Sequence, residues 1–330
     1  MSRCLPLLIF LISLLQPLAA ENSEKSTRDP KELIAQAEDK MNIFALPHFV
    51  MKATIQVDGQ GKHAEGTYLL LWNGPEQWRE QISFPDYGEI QVGGEGVVLL
   101  KRSTEVMIPA SYSVHRALGF GTSWSSFAGL DPRPDEKVNK IHNRKINGAK
   151  TDCVEIEDRE KHVREVCVDQ TAGVIVRDHS LGNEEILPVG TKLFPRVLSF
   201  AEEGLPSARI QITELKTPEG IPPSAFEPPS GAVSRLGCMN PSPTSLQKRV
   251  LPRYPDADRQ AHAQGTVAIY AVIGKDGGLS KLQIVSGVTS GLNAASLEAV
   301  RQWKYQPVTC EGIPVEIEVV IQVNYTLPFR

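Results

Sequence analysis

From Phe49 onwards apolar residues recur at every second position, and that period limits what the chain can build. Phe49, Met51, Ala53, Ile55 and Val57 alternate with Val50, Lys52, Thr54 and Gln56. Side chains along a strand point to opposite faces in turn, so this pattern buries one face of a sheet and wets the other. Shorter runs continue the theme between Gly, Asn or Asp: Thr67–Trp72, Glu89–Val92, Gly96–Leu100, Val106–Ile108, Gly173–Asp178 and Ala208–Leu215. Ahead of them, Pro30 opens a stretch in which Leu33, Ile34, Ala37 and Met41 fall on one face at helical spacing. The expected fold is α+β, with a large antiparallel sheet and a helix over one face.

A chain of 330 residues suggests two domains, at about 100–200 residues each. Charged residues make up 22%, which fits neither a disordered chain nor a coiled coil. The net charge of −4 argues against a nucleic-acid partner, which requires a concentrated basic surface.

Residues 1–20 read as a secretory signal peptide. Arg3 precedes an apolar run, Leu5 to Leu15, broken only by Pro6 and Ser13, and Leu18-Ala19-Ala20 offers small residues for cleavage. A membrane span needs roughly 18–20 apolar residues, which this run does not reach. The alternative is a retained inner-membrane anchor through residues 5–20. Residues 21–30 form a polar segment, and 31–216 the sheet domain.

Four cysteines follow the leader. Asp152–Glu157 and Val163–Val168 read as strands around a charged turn, and folding them about Glu160 sets Cys153 opposite Cys167. Opposed strand residues lie within reach of a disulfide. Cys238 and Cys310 are then left for each other, with free buried thiols the alternative for both pairs. Neither a CxxC motif nor a Cys/His zinc spacing is present, so no metal is expected.

Residues 217–247 carry Pro218, Pro222, Pro223, Pro228, Pro229, Pro241 and Pro243 and read as an extended, semi-rigid linker. Residues 248–330 form a compact unit. It has a short helical stretch at Asp256–Ala263, a strand at Thr266–Ile273, a hairpin turn at Lys275-Asp276-Gly277-Gly278 and a returning strand at Leu279–Ser286. Leu292, Ala295, Ala299, Val300 and Trp303 mark a helix face ahead of Pro307. Val315, Ile317, Val319, Ile321, Val323 and Tyr325 then alternate with Glu316, Glu318, Val320, Gln322 and Asn324.

This unit resembles the C-terminal domain of TonB-family proteins over about residues 248–328. The resemblance is carried by Arg253-Tyr254-Pro255, Gly265-Thr266-Val267, Asp276-Gly277, Ser286-Gly287, Ala294-Ala295, Ala299-Val300-Arg301-Gln302-Trp303, Lys304-Tyr305-Gln306-Pro307 and Gly312-Ile313-Pro314-Val315. It implies a periplasmic binding module of a two-membrane bacterium, which takes an extended segment of an outer-membrane receptor or other envelope protein beside its last strand. The contact residues it implies are Tyr254, Pro255, Glu316, Glu318, Val320, Gln322 and Asn324. A covered edge, or one paired in a homodimer, is the competing use. The energy-transducing members have a membrane anchor and a long spacer where this chain has a folded domain, and Leu251 stands where many have Gln. Without an anchored partner, direct energy transduction is not expected.

Residues 31–229 resemble the LolA/LolB-like lipoprotein carriers, through Ala53–Val57, Gly66–Trp72, Gly74-Pro75-Glu76-Gln77-Trp78-Arg79-Glu80, Val92-Gly93-Gly94, Val97–Leu100, Phe194-Pro195, Ile210–Leu215 and Pro222-Pro223-Ser224-Ala225-Phe226. That likeness implies a curved half-barrel whose concave face holds a lipid or lipoprotein acyl chain. Leu69, Leu71, Trp78, Val98 and Leu100 are the inward candidates, with an ordinary packed core as the alternative. A slip of one residue would flip every face.

Catalytic patterns are weak. The seven histidines show no His-Glu-x-x-His, and there is no phosphate loop. Gly121-Thr122-Ser123-Trp124-Ser125 lacks the closing Gly of a nucleophile elbow. Asp178-His179-Ser180 are sequence neighbours rather than a spatial triad, and Glu202-Glu203 read as solvated charge. The chain reads as a non-enzyme without a cofactor, with two roles open. One is a strand-capturing periplasmic protein; the other is a periplasmic carrier of lipid or lipoprotein.

Overall fold

The first described helix, α1 (Pro30–Met41), starts where the sequence says it should. Asp29 accepts a hydrogen bond from the Lys31 amide at 2.8 Å, and Pro30 occupies the first turn. Its buried side chains are Leu33, Ile34, Ala37 and Met41. The computed structural model describes residues 28–59, 61–94, 97–118, 136–158, 161, 163–236, 242 and 244–327. The signal-peptide reading, the Gly121–Ser125 run and Cys238 therefore lie outside the described residues.

A short 3-10 turn, Ile43–Ala45, leads into strands β1 (Phe49–Gly59), β2 (Lys62–Trp72), β3 (Trp78–Phe84), β4 (Tyr87–Gly94) and β5 (Val97–Arg102). Helix α2 (Pro109–Leu118) follows. Then come β6 (Lys137–Val138), β7 (His142–Ile146), β8 (Ala149–Glu157), β9 (Val163–Asp169), β10 (Ile175–Asp178), β11 (Leu181–Val189), β12 (Lys192–Phe200), β13 (Ser207–Lys216) and β14 (Val233–Leu236). They form one 14-stranded sheet in the order β14-β5-β4-β3-β2-β1-β13-β12-β11-β10-β9-β8-β6, with β7 beside β8. The sheet is antiparallel, curved and not closed into a barrel.

The alternation of β1 is realised: Phe49, Met51, Ala53, Ile55 and Val57 are buried in the core, in one cluster with the apolar faces of α1 and α2. Pairing then fixes the next strand, because Phe49 opposes Trp72 and Met51 opposes Leu70. Cys153 stands opposite Cys167 across β8–β9, and the two are joined as a disulfide.

Three expectations need correction. Val106–Ile108 is not a strand but the approach to α2. Two helices, not one, cover the inner face, since α2 contacts β12, β13 and β1. Residues 217–247 are also more than a spacer. The 3-10 turn Pro223–Phe226 packs on β3, and β14 adds to β5 at the sheet edge.

The C-terminal unit begins with β15 (Leu246–Lys248) and α3 (Asp256–Gln260). It continues with β16 (Gly265–Ile273), β17 (Leu279–Ser286), α4 (Ser290–Val300), β18 (Lys304–Tyr305), β19 (Thr309–Cys310), β20 (Ile313–Pro314) and β21 (Ile317–Tyr325). Its main sheet has the order β17-β16-β21, while β15 pairs with β18. Hairpin, helix and strand thus follow in the expected order. The β16–β17 turn needs Gly277, whose φ is 79°, and a Cβ there would lie 1.9 Å from the Tyr305 carbonyl oxygen.

Candidate functional site

Two features stand out as sites: the free edge of β21, and a buried ionic cluster that reaches it from the other domain. The edge is set by topology. Among the described residues β21 pairs with β16 alone, so its other backbone edge is unpaired.

The two faces of β21 meet different surroundings. Ile321, Val323 and Tyr325 are buried with Val267, Ile269, Leu292 and Val300 under α4, and Val319 packs against them. Tyr254 belongs to this face: it stacks edge-on against Tyr325 at 5.3 Å, and its hydroxyl donates to the Ala263 carbonyl. Pro255 precedes the first residue of α3. On the opposite face, Val320 joins Ala268, Tyr270 and Val272 against Met107, Val106, Tyr112 and Leu205 of the N-terminal domain. The Gln322 amide donates to Glu202 Oε1 at 2.8 Å and to the Glu203 carbonyl at 3.0 Å. The Thr266 hydroxyl lies 2.9 Å from Glu203 Oε1 and 2.8 Å from Asn324 Oδ1. Glu202-Glu203, read as solvated charge, is therefore an interdomain contact. Gly204 beside it has φ 78°, and a Cβ there would meet Thr266 Cγ2 at 2.9 Å. Glu316 and Asn324 remain exposed.

Glu318 carries the strongest link. Arg102 Nη1 and Nη2 donate to Glu318 Oε1 and Oε2 at 2.6 and 2.8 Å, a two-pronged grip. Arg235 of β14 adds a bond to Oε1 at 3.2 Å. Arg102 is itself 5% exposed, and its Nε donates to Glu89 at 3.0 Å. Glu89 also receives the Tyr87 hydroxyl, Gln91 Nε2 at 2.8 Å and Ser111 Oγ at 3.3 Å, and lies 3.2 Å from His115 Nε2. The other ring nitrogen of His115 faces Glu80 at 3.8 Å, and Glu80 accepts from the Tyr68 hydroxyl at 3.0 Å.

Burial acts on each of these groups, and the neighbours decide the net direction. Desolvation pushes the Glu80 carboxyl up to about 7, against the pull of His115. Desolvation also opposes ionisation of Glu89, but His115 and Arg102 outweigh it and hold that carboxyl far below the ordinary range. Burial likewise opposes the charge on His115, yet Glu80 and Glu89 together raise its imidazolium to about 9. Arg102 holds Glu318 below the ordinary carboxylate value despite burial. The result is a set of alternating charges running from β3 through α2, β4 and β5 into β21.

The five residues expected to line a cavity do not share a face. Trp72 opposes Trp78, Trp78 opposes Gly93 and Gly93 opposes Val98, which places Trp78, Val98 and Leu100 inside. Leu69 and Leu71 alternate with the buried Tyr68, Leu70 and Trp72, and so face the other way. Trp78 and Leu100 are buried in the described fold. Asp178-His179-Ser180 is the β10–β11 turn, where the His179 amide donates to the Glu165 carbonyl. His142, Cys153 and Glu165 converge, but the Cys153 sulfur is committed to its disulfide.

With this geometry in view, similarity to known proteins is informative for the second unit. Residues 250–327 match the model of the Gram-negative bacterial TonB protein C-terminal family. Protein TonB of Vibrio cholerae is 33% identical over 86 residues, covering 26% of this chain. The chain spans 35% of that relative's length. Among solved structures, a DUF1329 family protein from Desulfovibrio piger overlays 61% of this chain and 98% of its own at 11% identity and a TM-score of 0.40. A LolA superfamily protein from Nitrosomonas europaea overlays 60% and 96% at 11% identity and a TM-score of 0.37. No helix among the described residues is long and apolar enough to cross a membrane.

Proposed function

We propose that this protein works in the periplasm as a non-enzymatic TonB-like module. In this reading the β21 edge captures an extended segment of an outer-membrane receptor or other envelope protein by strand addition. The observation that supports it is the unpaired edge of β21 in a unit that matches the TonB C-terminal model. A strand added there satisfies a row of backbone N–H and C=O groups. Since Glu318, Val320 and Gln322 are engaged by the N-terminal domain, backbone pairing supplies most of the contact. Glu316 and Asn324 remain for side-chain selection at the two ends.

Disulfide trapping tests this. The full chain carrying Asn324→Cys is mixed with peptides from receptor segments facing the periplasm, each with one cysteine moved a residue at a time. Strand addition gives trapping at alternate peptide positions, following the period of two. Trapping without period, or no trapping together with saturable 1:1 uptake of a fluorescent fatty acid, overturns the reading in favour of a carrier.

A further inference from the structure

The cluster Glu80–His115–Glu89–Arg102 has no part in strand addition itself, yet it ends on the strand that would accept the partner. We infer that Arg102 is a positioning residue for the β21 edge, through which the N-terminal sheet holds the last strand of the C-terminal domain in place. This deepens the strand-addition reading and rests on it for its consequence, but not for its geometry.

The argument is one of reach and charge. Arg102 is the last residue of β5, and its guanidinium bridges Glu89 within its own sheet and Glu318 in another domain. An edge strand has a neighbour on one side only and is the first part of a sheet to fray. Here β21 is gripped from its face at its N-terminal end by Arg102 and near its C-terminal end by the Gln322–Glu202 contact. The edge is thereby held ready before a partner arrives, which lowers the ordering cost of capture.

The same arrangement ties the grip to pH. Facing it are Tyr68 from β2, Glu80 from β3, Tyr87 and Glu89 from β4, Arg102 from β5, His115 from α2, Arg235 from β14, Tyr270 from β16 and Glu318 itself. When His115 loses its proton, Glu80, Glu89 and Glu318 share Arg102 and the half-exposed Arg235 as their only cations among these groups. Arg102 is then drawn inward, and Glu318 loses its hold.

Amide hydrogen exchange on the intact chain, without any peptide, tests the positioning role. Glu318→Gln keeps the shape of the side chain and leaves the N-terminal cluster its own counter-ions. It should speed exchange in residues 317–325 by about tenfold, the scale of one lost charge-assisted hydrogen bond, while residues 279–286 at the other edge stay unchanged. Arg102→Lys, which keeps the charge but not the fork, should fall between the two. Corrected for intrinsic rates, wild-type protection of 317–325 should drop as pH rises through about 9, where His115 titrates, and the Glu318→Gln profile should be flat. An equal rise in 279–286, no change in 317–325, or a flat wild-type profile overturns the inference. If these results appear but no peptide is trapped, the strand-addition reading fails and the positioning role stands.

Discussion

The two faces of the small C-terminal sheet are buried by opposite means. Toward α4, Val267, Ile269, Ala271, Ile321 and Val323 make a hydrocarbon contact. Toward the N-terminal domain, a smaller apolar patch around Met107 and Tyr270 is flanked by the Arg102–Glu318 and Gln322–Glu202 contacts. A hydrocarbon face is insensitive to pH and tolerates little loss of volume. A face held by ion pairs responds to protons, because each pair contributes only while both members are charged. The first face makes the domain; the second sets how the domain sits on its neighbour.

Removing volume from the first face should have the largest effect. Ile269 is fully buried between β17 and β21. Ile269→Ala should cost about 2–5 kcal/mol, the range for deleting buried methylenes and leaving a cavity. Urea unfolding followed by tryptophan fluorescence would register it through Trp303, which packs in the same cluster. A loss as small as that of a surface substitution would mean that this face does not carry the domain.

The second face should give the protein a stability that depends on pH. His115 titrates near 6.5 when unfolded and near 9 when folded, so the native state holds its proton across that window. Its contribution is therefore complete below 6.5 and lost as pH rises through about 9. Glu80 slopes the same way at lower pH: its folded value of about 7 lies above its ordinary 4.5, so stability falls as pH rises between them. Glu89, held low, contributes above 4.5 and loses that contribution as pH falls. Urea midpoints should thus decline from mildly acidic to alkaline conditions, and His115→Gln should remove the alkaline part of the slope. A wild-type midpoint that rises toward pH 9 would contradict the arrangement of charges.

The hydrocarbon face was legible in the sequence and the ionic one was not. Val315 to Tyr325 alternates with Val320 as the one apolar residue on the polar face, so one reading of period gives the strand and its buried face. The β8–β9 hairpin was as clear, because a short charged turn between two strand-like runs, folded symmetrically, sets Cys153 opposite Cys167. Tyr68-Leu69-Leu70-Leu71-Trp72 is apolar throughout, so period says nothing about which side points inward; only pairing with Phe49 and Met51 decides. Helix α2 was hidden because Ser111, Ser113 and His115 are buried beside Val114, Ala117 and Leu118, which breaks up the apolar stripe a helix face usually shows. The ionic cluster draws on residues from Glu80 to Glu318, a separation no local pattern spans. One signal was present: Glu80 interrupts the stripe of Trp78 and Ile82 on a single strand face, an alternation that a solvated glutamate would not share.

The smallest effect separates helix capping from face packing. Thr289 precedes α4, and its hydroxyl accepts from the Leu292 amide at 3.1 Å. Thr289→Ala should cost about 1 kcal/mol, the usual loss for an N-cap oxygen, and Thr289→Ser should restore most of it. The loss should be the same at acidic and alkaline pH, since α4 covers the hydrocarbon face and the cap involves no titrating group. Unfolding of both variants at the two ends of the His115 window would check this. If the penalty of Thr289→Ala grew with pH, α4 and the ionic contact would be coupled through the sheet, and the two faces would no longer be separable.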